Sequence, residues 1–138
     1  MSAPETGDPL PVLEVAAITA EKLRDFAVVS GDDNPVHLDD EAARRGGLDG
    51  VVAHGMLVMA HLGRLVTSWP AAGALRSFRT RFTAPTPLGA RVTCTGKVVS
   101  VDVVDGTPCA RLRVVASRDD GVAVARGEAV VELTGVTG

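Results

Sequence analysis

Asp32 and His37 stand five residues apart in the run Ser30-Gly31-Asp32-Asp33-Asn34-Pro35-Val36-His37. An imidazole titrates near neutrality, and a carboxyl beside it supplies a second proton-transfer group. The pair is therefore suited to moving protons at one reaction centre. Between them Pro35 fixes its own φ and pushes Asn34 away from helical geometry. The run is dense in turn formers, so it reads as a loop that can turn both side chains to one point. The plain alternative is that Asp32, Asp33 and Asn34 only satisfy turn backbone, as Asx-rich turns commonly do. A metal site at His37-Leu38-Asp39-Asp40 is weaker still, because no other His, Cys or carboxylate cluster completes a ligand set.

A second constellation is Ala53-His54-Gly55-Met56. Gly55 falls where a nearly all-apolar helical pattern begins. A helix start offers unpaired N–H groups and the positive end of the dipole. Glycine there lets a ligand approach the backbone closely. A carbonyl oxygen gaining negative charge suits that place. The alternative is that Gly55 permits tight packing and that His54 is a satisfied core histidine. His61, inside the apolar helix, reads as structural.

The elements that must position these groups can be read around them. Thr19 is a good N-cap for a helix over about residues 20–29, with Leu23, Phe26 and Ala27 on one face. Ile18 just before the cap is placed to act as a hydrophobic staple. Asp39 or Asp40 can cap a short helix through Arg44, closed by Gly46 and Gly47. The pattern at residues 56–68 leaves little continuous polar surface, so that helix is expected to be buried on most sides, with Pro70 after its end. Residues 12–15 read as a short strand. Four longer strands are expected at about 76–83, 91–104, 110–118 and 122–133. Asp105-Gly106 and Asp119-Asp120-Gly121 punctuate them as hairpin turns. Residues 1–11 carry three prolines and read as a loose N-terminal arm. The sum is one α+β domain over residues 1–138, a single sheet wrapped around a central helix. Such a sheet leaves an edge or face in need of cover, so a dimer is expected.

Composition narrows the function classes. The chain has 138 residues, a formal net charge of −3 and 3% aromatic residues, none of them Tyr. Nucleic acid is a poor partner for that balance, since a phosphate backbone calls for a basic face and bases for stacking platforms. The N-terminus has neither the basic nor the apolar region of a signal peptide, and no apolar run approaches the ~20 residues of a membrane span. A cytoplasmic protein is expected. Cys94 and Cys109 form no CxxC pattern and read as small buried residues in a reducing compartment.

Ser30-Gly31-Asp32-x-Asn34-Pro35-x-His37-x-Asp39, followed by Val52-Ala53-His54-Gly55-Met56-Leu57, resembles the hydratase 2 signature of MaoC-like hot-dog dehydratases. Leu48-Asp49, Val66-Thr67-Ser68-Trp69 and Arg81-Phe82-Thr83-Ala84-Pro85 are similar to the catalytic β subunits of the mycobacterial-type (3R)-hydroxyacyl-carrier-protein dehydratases. The resemblance runs over roughly residues 18–133. It implies a hot-dog fold, a curved antiparallel sheet around a central helix. It implies reversible dehydration of (3R)-3-hydroxyacyl thioesters of acyl carrier protein or coenzyme A, with no cofactor and no metal. Asp32 and His37 match the family's catalytic dyad, Asn34 a loop-orienting residue and Gly55 the backbone donor to the thioester carbonyl. It also implies a homodimer, or a heterodimer with a second hot-dog subunit. An (R)-specific enoyl-coenzyme A hydratase, a non-catalytic partner subunit and a thioesterase are the competing functions.

Overall fold

Val and Thr alternate with polar residues through the second half of the chain, and that half forms the sheet. A computed structural model of the chain describes residues 3–135. Its strands are β1 (Leu13–Val15), β2 (Ala72–Phe82), β3 (Val92–Val104), β4 (Thr107–Arg118) and β5 (Ala123–Leu133). They form one antiparallel sheet in the order β1-β3-β4-β5-β2. β3 and β4 meet in the tight hairpin expected at Asp105-Gly106, both residues having positive φ (50° and 79°). Two-residue hairpin loops need that geometry to match the strand twist.

The helices are α1 (Ala20–Ser30), α2 (Asp40–Arg45) and α3 (Gly55–Thr67), with one 3-10 turn at Pro35–His37. Thr19 caps α1 by accepting from the Lys22 N–H, and Gly31 closes it in the left-handed region at φ 77°. Asp39 caps α2. α3 lies in the concave face of the sheet. Its Val58, Leu62, Leu65 and Val66 join Val98, Leu112, Val114, Ala129 and Val131 in the main core. A second cluster, Ile18, Leu23, Val51, Ala53 and Leu57 with Phe26 against it, packs α1 over the start of α3. This is the hot-dog arrangement that the resemblance implies. Cys94 and Cys109 are buried and unpaired, and burial pushes the Cys94 thiol up to about 11. Among the described residues no helix is long and apolar enough to cross a membrane.

Two expectations change. The N-terminal arm is pinned from residue 7 on: Gly7 N–H donates to Val98 O, Leu10 N–H to Gly96 O, and Val98 N–H to Asp8 O. Leu10 is 3% exposed, so an apolar anchor overrides the looseness that the prolines suggest. Residues 1–2 of that arm lie outside the described residues. β2 begins at Ala72, four residues before its expected start, because pairing with β5 recruits the weak strand formers Ala72-Gly73-Ala74. α3 is buried on most sides, as expected: the sheet and α1 cover it, and Met56, Ala60, Arg64 and Thr67 form the stripe that faces outward, Met56 at 59% exposure.

The outer face of the sheet is basic. Register places Arg79 and Arg81 of β2, Arg126 of β5 and Arg111 and Arg113 of β4 on that side, around Glu128. Glu128 pairs with Arg79 and Arg111. Arg81, Arg113 and Arg126 have no carboxylate partner among the described residues.

Candidate active site

The loop that follows α1 is held by its own side chains. Asp32 Oδ1 accepts from the Asn34 N–H at 3.2 Å, and Asn34 Oδ1 accepts from the Val36 N–H at 3.2 Å. Asn34 is thereby the N-cap of the 3-10 turn that carries His37. Asx residues accept such bonds readily, and Pro35 at the first position of the turn needs no N–H partner. The turn chemistry and the placement of His37 are one device.

His37 Nδ1 donates to the carbonyl of Val52 at 2.8 Å. That bond puts the ring proton on Nδ1 and leaves Nε2 as a free base. Nε2 lies 3.7 Å from Asp32 Oδ2. The separation is too long for a direct hydrogen bond, and catalytic pairs are often this loose without substrate. The His37 side chain is 12% exposed and that of Asp32 50%, so the pair opens to solvent on the carboxyl side. Sequence reasoning placed these two groups at one point, and the structure brings them there.

Gly55 opens α3, as expected. Its residue before, His54, gives no side-chain cap, and the His54 carbonyl accepts from Leu57 and Val58. The Gly55 and Met56 N–H groups thus remain free at the positive end of a 13-residue helix. A Cβ at Gly55 would stand 3.1 Å from the Phe82 ring. Beside Gly55 is a cavity of about 250 Å³, walled by Ala53, Val58, Phe82, Ala84 and Thr86. Arg118 steadies its rim by donating to the Pro85 carbonyl at 2.9 Å while paired with Asp120.

His54 is the residue sequence reasoning underrated. It is 1% exposed, its Nε2 donates to the Asp32 backbone carbonyl at 2.9 Å, and its ring stacks on His37 with centroids 3.9 Å apart. Its position between the loop motif and Gly55 was the only signal available. His61 is buried in α3, as expected, and burial followed by the charges of Arg64 and Lys22 pulls its pKa down.

Ligand atoms of Asp32, His37 and His54 lie within 4.8 Å of one another. The two imidazoles lie face to face, 25° apart, and each already donates one ring N–H to a backbone carbonyl. The donor set is one carboxylate and two imidazoles, each ring with one nitrogen left over. It fits proton transfer to and from a molecule lying across His37 Nε2 and Asp32 Oδ2, with a carbonyl oxygen at the α3 N-terminus.

A sequence model of the MaoC-like domain matches residues 3–119. The 3-hydroxyacyl-thioester dehydratase Z of Mycobacterium tuberculosis is 34% identical over 97 residues, covering 65% of this chain. The match spans 64% of that relative's length. An (R)-hydratase from A. caviae involved in PHA biosynthesis superposes with a TM-score of 0.82 at 26% identity, covering 96% of this chain and 99% of the other. The HadBC (3R-hydroxyacyl-ACP dehydratase) complex of Mycobacterium tuberculosis shares the fold, with a TM-score of 0.73 at 20% identity over 96% of this chain and 99% of that one.

Proposed function

Because this chain belongs to the MaoC-like domain family, we propose that it removes water reversibly from (3R)-3-hydroxyacyl thioesters to give trans-2-enoyl thioesters. The observation that carries this reading is the pair of proton-transfer atoms, His37 Nε2 and Asp32 Oδ2, 3.7 Å apart beside the free N-terminus of α3. The thioester carbonyl oxygen accepts from the Gly55 N–H, a donor worth about 3 kcal/mol where enolate charge develops. His37 Nε2 takes the α-proton, since its Nδ1 proton is committed to Val52. The C3–O bond breaks as protonated Asp32 gives its proton to the leaving hydroxyl, and water departs. His37 then holds the gained proton and Asp32 is a carboxylate. One proton passed across their gap restores the starting state. Asn34 keeps the loop in register through its bond to Val36.

The apolar cavity at Gly55 suits the acyl portion. The carrier is acyl carrier protein or coenzyme A; the name of the HadBC dehydratase gives acyl carrier protein for that protein. The working form is a dimer in which a second hot-dog subunit, identical or not, covers the open edge of β2 and the exposed flank of α3. The neighbouring HadBC structure is itself a complex.

The test is hydration of crotonyl-coenzyme A by the purified chain, followed by loss of enoyl thioester absorbance, with free thiol measured alongside. The expected result is (3R)-3-hydroxybutyryl-coenzyme A and no thiol. Thiol release instead would mean a thioesterase. No turnover on short or long enoyl thioesters, of either carrier, would mean a non-catalytic subunit.

A further inference from the structure

His54 is buried between the two halves of the site and touches each of them. Its Nε2–H donates to the backbone carbonyl of Asp32 at 2.9 Å, a bond across 22 residues of chain. One face of its ring stacks on His37 at 3.9 Å, while the ring of Phe26 from α1 meets it edge-on at 4.8 Å. Its own carbonyl accepts the first helical bonds of α3, from Leu57 at 3.1 Å and Val58 at 3.4 Å. Nδ1 is buried with no partner. With the ring proton on Nε2, Nδ1 is a bare lone pair, and no acceptor stands ready for a second ring proton there. A core histidine kept only for packing would have no reason to bond to the backbone of one proton-transfer residue while stacking on the other.

We propose that His54 is the positioning residue of the reaction proposed above, a neutral imidazole that fixes Asp32 by hydrogen bond and His37 by stacking, and ties both to the helix start that holds the substrate carbonyl. The logic is geometric. Asp32 sits on a loop and its side chain is half exposed. Its Oδ1 is spent on Asn34, so the carboxyl moves as the backbone moves. Among the described residues, the Asp32 N–H bonds to Ser30 Oγ at the end of α1, and its carbonyl takes its bond from the buried His54. A loss of about 1 Å in the placement of a reacting group can lower a rate 10²-fold.

Two variants separate the contacts. His54→Gln keeps an N–H at the Nε2 position but no ring, and His54→Phe keeps a stacking ring but no donor. On crotonyl-coenzyme A we expect His54→Phe to lose about 10²-fold in kcat with KM within about threefold, and His54→Gln to recover to within about tenfold of wild type. Amide exchange is read in parallel on the same proteins without substrate. The N–H groups of Asn34 and Val36 are expected to exchange faster in His54→Phe and near the wild-type rate in His54→Gln. Wild-type kcat in His54→Phe overturns the inference, as does equal loop exchange in all three proteins. A wild type inactive on every enoyl thioester refutes the proposed reaction alone, and the exchange rates still decide whether His54 fixes the loop.

Discussion

The gap between His37 Nε2 and Asp32 Oδ2 leaves each group free to face substrate instead of its neighbour. His37→Ala removes the base and Asp32→Asn removes the acid, so each should reduce turnover by about 10²–10⁴. Asp32→Asn keeps a side-chain oxygen for the Asn34 N–H, so its melting temperature should stay near that of wild type. Kinetics and thermal melts on the two variants check this, and near-normal turnover in either removes that residue from the mechanism. Asn34→Ala loses the cap on the turn beneath His37. A lost cap costs about 1 kcal/mol, so its effect on turnover should be smaller than that of the dyad variants. The turn at Asn34, the facing pair Asp32 and His37 and the helix start at Gly55 were legible as local patterns, while their roles rest on the family resemblance. His54 was not. Its partners are a backbone carbonyl 22 residues away and a ring brought beside it by folding. A lone histidine in an apolar run announces neither.

At the scale of elements, the start of α3 is fixed by what lies against it. The Phe82 ring, carried in on the last residue of β2, approaches the position a Cβ would take at Gly55 to 3.1 Å. Gly55→Ala therefore asks the ring to yield a few tenths of an ångström, whereas Gly55→Val drives a branched side chain into it. We expect Gly55→Val to lose activity by about 10²-fold or more and stability by about 1–3 kcal/mol. Adding Phe82→Leu should return stability before activity, which calorimetry and the hydration assay can separate. Normal kinetics in Gly55→Val would place the carbonyl donor elsewhere. The helices and hairpins were legible because caps, staples and an Asp-Gly turn act within a few residues. The start of β2 and the docking of the arm were not, because pairing with β5 and the burial of Leu10 are contacts between distant segments.

The whole molecule presents an unfinished surface. β2 pairs only with β5, so an eleven-residue strand has one edge without a neighbour. Next to it, Met56 is 59% and Phe82 48% exposed. Open edges of that length invite a partner strand. Light scattering on the purified chain should give about twice 14.2 kDa. A mass near that of one chain, with full activity, would defeat the dimer. The outer face of the sheet has a different consequence. Five guanidiniums stand there around one carboxylate, on a chain whose formal net charge is −3. The rest of the surface is thus more acidic than the total, and the protein is an electric dipole as well as an anion. Net charge would send it only to a positively charged resin at neutral pH. The dipole lets a sulfonate resin hold it as well at low salt, by this face alone, and release it within the range where the Debye length falls below about 10 Å.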